Sequence, residues 1–235
     1  MKKFGLLIFA AALIVGVIAA SASSFGKITG NFLDFSFVKF GKSVKGSGQT
    51  ATEMREVDSF HAIEVSGVLQ VEIIAQKEQT LEVEADDNLL KYIKTEVRGG
   101  TLKMWSERQL KTSNPLRVRI TVQDIDDLEV TGAANVTVKD VKNSGIKVDS
   151  SGASKIKVSG ESSKFIADVS GATSIDAEAL TVENATVDAS GASNVSVNVT
   201  GTLRAEATGA SRVSYAGTPK EVVKKTRGAG SVDQR

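Results

Sequence analysis

A phrase of eight residues returns five times between positions 131 and 215, and it restricts the chain to few folds. Each copy opens with Ser or Thr, then Gly and Ala, and ends in alternating aliphatic and polar residues. The glycines of the five copies are Gly132, Gly152, Gly171, Gly191 and Gly209, and a weaker sixth copy contains Gly228. Their spacing of 18 to 20 residues is typical of a solenoid, in which each copy forms one turn.

Aliphatic residues alternate with polar ones on both sides of each glycine. Around Gly152, for example, Val148 precedes Asp149, and Ile156 and Val158 enclose Lys157. This period of two predicts two short strands per turn, each with one buried face. Because no helical pattern separates them, alternating strands and helices are excluded. The sequence therefore predicts an all-β fold, a right-handed parallel β-helix with rungs of about 19–20 residues.

The glycine column predicts the corner between the two strands of a turn. Glycine adopts a positive φ without steric cost and lets neighbouring backbones approach closely. An alanine follows each of the five glycines, which indicates a tight bend. We therefore expect these glycines to be structural.

An acidic residue stands three positions before each glycine. The row consists of Glu64, Glu129, Asp149, Asp168, Asp188 and Glu206, and Lys225 takes this place in the weakest copy. Neighbours in register would lie about 5 Å apart and repel by about 0.8 kcal/mol in water. The row must therefore face solvent or be neutralised. One hypothesis is a ligand or cation surface at positions 129 to 206, with calcium as the candidate ion; the alternative is a solvated stripe that discourages aggregation.

Two hydroxylic columns flank the same glycines. The first column directly precedes the glycine and consists of Ser66, Thr131, Ser151, Ser170, Ser190 and Thr208. The second follows the glycine by two residues and consists of Ser154, Thr173, Ser193 and Ser211. Such hydroxyls either bond the turn backbone and one another, or line a polar groove for sugars.

The first residues follow an export pattern. Lys2 and Lys3 precede an apolar run from Phe4 to Ala20, and Ala20-Ser21-Ala22 fits a signal-peptide cleavage site. We predict a signal peptide at 1–22, and hence a protein in the periplasm, on the outer surface or secreted. An uncleaved membrane anchor is the alternative, although a run of 17 residues is short for a span.

Residues 23–52 are predicted to form an N-terminal extension. Five phenylalanines between Phe25 and Phe40 indicate either a cap on the open end of the solenoid or an apolar adhesive patch. The segment from Gly41 to Thr52 is rich in Gly, Ser, Lys and Thr, which predicts a flexible link. The β-helix domain is then expected at 53–235, without a second domain.

Composition excludes several chemistries. The chain has no cysteine, and His61 is its only histidine, so any Ser-His-Asp triad must use that residue. No Gly-x-Ser-x-Gly motif surrounds a serine. The net charge of +1 gives no electrostatic case for nucleic acid. We therefore predict no catalytic residues and no cofactor other than the calcium ion considered above.

The repeats, together with D-D-N-L-L-K-Y-I-K-T-E-V-R-G-G-T-L-K from Asp86 to Lys103, resemble a known bacterial family. This is the family described as putative auto-transporter adhesin, head GIN domain, and the resemblance covers roughly Val57 to Val232. It implies an exported, single-chain parallel β-helix similar in shape to pectate lyases, with a role in cell adhesion. The family has no established catalytic residues, so none is carried over.

These observations predict an exported, non-catalytic module of the bacterial cell envelope. Its partner would be a glycan or protein of an envelope or cell surface, and no stable membrane span is expected once the signal is cleaved. Two alternatives stay open. One is a carbohydrate-active enzyme that uses acids such as Asp149, Asp168 and Asp188; the other is a structural protein of envelope assembly.

Overall fold

A computed structural model describes residues 43–235; the predicted signal peptide and the phenylalanine-rich segment lie outside the described residues. Nearly all of the described regular structure is β-strand. The strands are β1 (Val44–Lys45), β2 (Thr50–Met54), β3 (Ala62–Gly67), β4 (Gln70–Ile74), β5 (Thr80–Asp86), β6 (Ile93–Arg98), β7 (Thr101–Ser106), β8 (Leu110–Lys111), β9 (Arg117–Thr121), β10 (Asp127–Gly132), β11 (Asn135–Asn143), β12 (Ile146–Gly152), β13 (Lys155–Gly171), β14 (Ser174–Ala189), β15 (Asn194–Gly209), β16 (Arg212–Ala216), β17 (Glu221–Gly228) and β18 (Ser231–Gln234). One turn of 3-10 helix, Leu90–Tyr92, precedes β6.

The repeat region is a parallel β-helix with two long faces. Face A consists of the parallel strands that precede the corner glycines and of β7, which pairs with the first of them: β7, β3, β10, β12, residues 165–171 of β13, 184–189 of β14, 202–209 of β15, and β17. Face B consists of the parallel strands that follow these glycines and of β9, which pairs with the first of them: β9, β4, residues 135–139 of β11, 155–158 of β13, 174–177 of β14, 194–198 of β15, β16 and β18. The predicted parallel β-helix, with two strands joined at each glycine, is confirmed.

A third, shorter face completes the rungs. After a register shift beyond face B, residues 141–143 of β11 pair with 160–162 of β13, and these pair with 180–182 of β14. Asp140 has a φ of +59° at the bend that leads into this face. The repeat pattern did not predict this second bend, because no residue type marks it in every copy.

The core consists of aliphatic columns that run along the solenoid axis. On face A, one column holds Leu128, Val148, Ala167, Val187 and Ala205, all buried. Each residue pairs with its equivalent one rung away. Burial of one such Val or Leu side chain contributes about 1.5–3 kcal/mol. The columns therefore stabilise the fold chiefly through contacts between neighbouring rungs.

Antiparallel strands cover the N-terminal end of the solenoid. On face A, β6 pairs antiparallel with β7 through the Gly99-Gly100 turn; beyond face B, β5 pairs antiparallel with β9, and β2 with β5. Leu89, Ile93 and Met104 fill the core beneath them and are at most 1% exposed. Because these strands reverse direction, the parallel stack ends here.

The expectation of a flexible link from Gly41 to Thr52 is wrong for its described part. β1 pairs in parallel with β8, and β2 pairs with β5. The Asn88 side chain accepts a hydrogen bond from the Ser47 amide (2.9 Å) and donates one to the Lys45 carbonyl (2.9 Å). The folded unit thus begins before residue 53. The Gly- and Ser-rich composition did not indicate this, because β1 and β2 are ordered by backbone pairing with β8 and β5.

A buried carboxylate anchors the loop between β8 and β9 at this end. Asp86 is 1% exposed, and it accepts hydrogen bonds from Asn114 Nδ2 (2.6 Å) and Thr112 Oγ1 (2.9 Å). The bond from Asn114 is the main reason why the pKa of Asp86 is lowered. A buried ionised carboxylate is tolerated only when it is hydrogen-bonded in this way.

The C-terminal rung differs from the others at its inward positions. Lys224 takes the place in the column that Ala205 occupies one rung earlier. Its ammonium lies 4.9 Å from the centre of the Tyr215 ring and donates a hydrogen bond to the Val232 carbonyl (3.1 Å). An inward-pointing charge on an edge strand discourages another strand from pairing there. The last described rung therefore covers the core with polar groups.

Candidate functional site

The corner glycines have a conformation and a packing that exclude a side chain. Gly132 and Gly152 have φ values of +103° and +131°, and Gly171, Gly191 and Gly209 have values between +80° and +86°. A methyl group added at Gly152 would lie 2.3 Å from the carbonyl oxygen of Gly132. The corners of successive rungs are therefore in backbone contact, and they position the residues beside them.

The acidic residues form a continuous row on the outer side of face A. Glu64 pairs with Glu129, Glu129 with Asp149, and the register continues to Glu206. We call Glu64, Glu129, Asp149, Asp168, Asp188 and Glu206 the acid row. Its members are partly or fully exposed, as the cost of a buried row requires. The structure thus brings all five predicted surface acids into one line.

Basic residues neutralise the two ends of the acid row but only one of the four acids between them. Lys103 forms an ion pair with Glu64 at one end, and Lys225 forms one with Glu206 (2.7 Å) at the other. Lys147 pairs with Asp149 within the row. Among residues 43–235, the carboxylates of Glu129, Asp168 and Asp188 have no ion-pair partner. The middle of the row therefore carries uncompensated negative charge.

This charge changes the proton affinity of Asp188. Partial burial raises the pKa of Asp188, and the neighbouring carboxylates of Asp168 and Glu206 raise it further. At the end of the row the pKa shift has the opposite direction, because the hydrogen bond from Lys225 lowers the pKa of Glu206. The acids are therefore aligned but not equivalent.

Replacement of Asp188 by Asn should stabilise the protein at neutral pH. The raised pKa means that the folded state disfavours the ionised carboxylate, so its removal relieves the cost of partial burial and the repulsion, together worth about 0.5–1 kcal/mol. In the wild type, the ionised Asp188 destabilises the folded state at pH values above its raised pKa. This destabilisation decreases as the pH falls through the raised pKa and is gone below the ordinary value of 3.8. Urea unfolding at pH 7 should show the gain, which should shrink at acid pH.

Asp176→Asn is the matched control for this prediction. Asp176 lies in the same strand on face B, 3.7 Å from Lys157, so loss of its charge relieves no repulsion of this kind. The stabilisation by Asp188→Asn should also weaken in high salt. Equal effects of the two substitutions would contradict the account of the acid row.

The two hydroxyl columns have different roles. The first column, from Ser66 to Thr208, lies on the outer side of face A beside the acid row, and we call it the hydroxyl row. The second column is buried, with exposures from 0% to 3%. There Ser154 Oγ donates to the Gly132 carbonyl (3.2 Å), and Ser211 Oγ donates to the Ala189 carbonyl (3.0 Å). The sugar-groove hypothesis is therefore wrong for the second column, whose hydroxyls bind the adjacent corner.

A polar cleft on face B was not predicted from the sequence. It has a volume of about 330 Å³, and an ion-pair network crosses it. Arg119 contacts Glu72 and Glu82, and Lys139 Nζ lies 2.7 Å from Glu72 Oε1. The hydrogen bond from Lys139 is the main reason why the pKa of Glu72 is lowered. Because these charges satisfy one another, the cleft is primarily a cross-strand brace.

A second cleft that the sequence did not predict lies at the N-terminal end of face A. It has a volume of about 270 Å³, and Trp105 lines it with Glu64 and Ser66, the first members of the two rows. Alternation in Thr101–Ser106 does place Thr101, Lys103 and Trp105 on one side of β7. That signal was missed because this strand lies outside the repeats.

His61 has a carboxylate partner. Its Nδ1 lies 2.8 Å from Asp126 Oδ1, and this hydrogen bond raises the pKa of His61. Both side chains are more than half exposed. Within the described part of the chain, no serine or threonine hydroxyl is bonded to this imidazole. The pair ties the loop before β3 to the loop before β10.

The described residues show no ready-made metal centre. Between residues 43 and 235, no three histidine or carboxylate side chains converge in a way that would hold a metal ion. The acid row instead spreads its carboxylates along the axis, one per rung. In the same range, no helix is long and apolar enough to cross a membrane.

Several solved bacterial structures share this fold. A putative adhesin from Bacteroides fragilis aligns with a TM-score of 0.65 at 18% identity, covering 82% of this chain and 100% of that chain. A putative lipid binding protein from Parabacteroides distasonis aligns with a TM-score of 0.55 at 20% identity, over 83% and 100%. A putative adhesin from Parabacteroides merdae gives 0.54 at 17% identity, again over 83% and 100%. At these identities the likeness shows the fold alone.

Sequence comparison identifies the family. No curated protein matches this chain. A family profile does match residues 59–219, and this range includes the acid row, the hydroxyl row and the five corner glycines. The match covers more than half of the chain and lies within the range over which the sequence resembles this family. The chain therefore belongs to the family described as putative auto-transporter adhesin, head GIN domain.

Proposed function

We propose that this chain is an exported, non-catalytic adhesion module that binds a cell-surface glycan through the outer side of face A. The observation that carries the proposal is the strict register of the acid row and the hydroxyl row. Together they present the same two polar groups on each rung, about 4.8 Å apart. A repeating polar surface suits a repeating polar ligand.

The shape of face A supports binding of an extended ligand. A shallow depression of about 280 Å³ lies along the two rows, with Asp149, Ser151, Asp168 and Ser170 in its lining. An extended chain of sugars can follow such a surface and contact several rungs at once, which multiplies weak individual contacts. The family description and the adhesin names of two relatives of like fold agree with this role.

Export is the second part of the proposal. It rests on Lys2, Lys3, the apolar run and the Ala20-Ser21-Ala22 site, together with the family description. A protein with this leader would meet glycans of the envelope or of a cell surface, in the periplasm, on the outer surface or outside the cell.

The experiment is a glycan array combined with a cell-binding assay, both performed with the full chain. The test variant carries Asp149→Asn, Asp168→Asn and Asp188→Asn, which keep side-chain shape and remove charge. We expect this variant to lose most of its retention, since it alters three successive rungs. Asp176→Asn on face B serves as the control and should bind as the wild type does.

Other outcomes would redirect the proposal. Equal binding by all variants would exclude the outer side of face A. Retention on cells but on no glycan would point to a protein partner. Loss of binding with a chelator, restored by calcium, would support the hypothesis that a cation bridges the acid row.

One observation favours an enzymatic alternative. Asp168 and Asp188 are adjacent acids, and the pKa of Asp188 is raised. Two carboxyl groups about 5 Å apart, one of them with a raised pKa, are what a retaining glycosidase requires. The open surface argues for binding instead, because such chemistry benefits from an enclosed site that admits the reacting water but keeps out bulk solvent. Release of reducing sugar from a polysaccharide by the wild type, abolished in Asp168→Asn, would establish the enzyme.

A further inference from the structure

A partly exposed tryptophan continues the hydroxyl row at its N-terminal end. Trp105 is the single tryptophan of the chain. In β7 it points outward, because Leu102 and Met104 occupy the buried positions. Val65 pairs with Met104, which brings the next residues, Ser66 and Trp105, side by side. An aromatic ring thus follows directly on a row of hydroxyls.

The indole N–H is available to a ligand. Trp105 is only partly exposed, and within residues 43–235 no protein atom accepts a hydrogen bond from its Nε1. Within that range no buried side-chain nitrogen or oxygen lacks a partner, so we infer that this nitrogen faces solvent. Tryptophan combines a large apolar surface with one polar donor, and both are presented at the same cleft.

The cleft around Trp105 carries balanced charge. Its lining contains two acids, Glu64 and Glu96, and two bases, Arg98 and Lys103. They are paired, Lys103 with Glu64, and Arg98 Nε with Glu96 Oε1 at 2.8 Å. Their formal charges sum to zero, while the acid row beyond them is negative. An anionic ligand that extended along face A would be repelled, whereas an uncharged one would not.

We propose that this cleft, lined by Trp105, Ser66, Glu64, Glu96, Arg98 and Lys103, binds one pyranose ring of a neutral saccharide. A pyranose ring has an apolar face of C–H groups and a rim of hydroxyls. The apolar face stacks on the indole, and the hydroxyls bond to the carboxylates, the basic groups and Ser66. The proposal rests on the proposed function, because the rest of the saccharide follows the hydroxyl row from this anchor.

The single tryptophan makes the proposal directly measurable. The full chain is titrated with neutral gluco- and manno-oligosaccharides and with oligogalacturonate as the acidic comparison, and its fluorescence is recorded. A neutral saccharide should change the emission of Trp105, and oligogalacturonate should not. Calorimetry then compares the variants. Trp105→Ala should weaken binding about tenfold, and Trp105→Phe should weaken it less because an aromatic face remains.

Val223→Ala is the matched control. Val223 is another exposed apolar residue on face A, 46% exposed at the C-terminal end, and its substitution should leave binding unchanged. Circular dichroism verifies that each variant is folded. If Trp105→Ala fails to fold, Trp105→Phe and Arg98→Ala carry the test, since Arg98 is exposed and its one ion pair among residues 43–235 is with Glu96.

The outcomes separate this proposal from the proposed function. Saccharide binding that is lost in the triple Asp→Asn variant but unchanged in Trp105→Ala would overturn the cleft and leave face A as the binding surface. Binding of acidic saccharides alone would overturn the neutral class. Absence of saccharide binding by the wild type would overturn both.

Discussion

Gly152→Ala should destabilise the protein by about 3–5 kcal/mol. The φ of +131° disfavours any residue with a Cβ, and the added methyl group would lie 2.3 Å from the carbonyl oxygen of Gly132. That oxygen also accepts hydrogen bonds from the Ala153 amide and Ser154 Oγ. The oxygen cannot move without weakening both bonds. Urea denaturation followed by circular dichroism would measure the loss.

Gly67→Ala is the control that separates strain from stacking. Gly67 occupies the same corner one rung before Gly132 and has a φ of +106°, but a methyl group there would meet no atom within 4 Å. Its substitution should cost only the conformational strain, about 1–3 kcal/mol. Similar losses at Gly67 and Gly152 would show that backbone contact between corners does not limit residue choice.

Phe165→Ala should cost about 3–5 kcal/mol, because it removes a large side chain from the middle of the stack. Phe165 is 0% exposed and is the largest fully buried side chain of the described residues. It pairs with Ile146 on one side and with Ala185 on the other. The ring therefore fills space that the small Ala185 leaves in the next rung. Thermal and urea unfolding would both register the resulting cavity.

The neighbouring alanine provides a specific rescue. In the double variant Phe165→Ala, Ala185→Phe, the ring moves by one rung and the total core volume is kept. We expect it to recover part of the lost stability, since volume-conserving changes are tolerated best. Val223→Ala on the outer surface should change stability by less than about 0.5 kcal/mol. Failure of the double variant to exceed Phe165→Ala would indicate that the column requires one particular order of side chains.

The repeat region was predictable in detail because every turn has the same alternation of buried and exposed residues around its glycine. The alternation around each glycine assigned Val148 and Ile156 to the core and Asp149 and Lys157 to the outside, as observed. Lys225 was expected opposite Glu206 from spacing alone, and the two residues pair. In such a stack, the correct alignment of one pair of rungs also gives the alignment of the remaining rungs.

The first third of the described chain was less predictable, since no repeated motif indicates which of its strands pair with each other. The strand Thr50–Met54 forms by pairing with the edge of Thr80–Asp86, and the sequence of neither segment indicates this pairing. The cleft at Trp105 depends on β3, β6 and β7 meeting in space. Local alternation gave the exposed side of each strand but not its neighbours.

The exposed acids were located from the sequence, but their differences were not. Spacing cannot show that Lys103 neutralises the N-terminal end of the acid row. It also cannot show that the pKa of Asp188 is raised. These properties depend on side chains that reach across rungs from outside the repeated phrase.

The inward Lys224 has a consequence for how a protein of this kind changes length in evolution. A rung added after the C-terminal strand would bury an ammonium group that now contacts Tyr215 and the Val232 carbonyl. A rung duplicated between Gly152 and Gly171 would meet compatible neighbours on both sides. Growth is therefore favoured in the interior, and each duplication would add one carboxylate and one hydroxyl to the outer surface without altering either end.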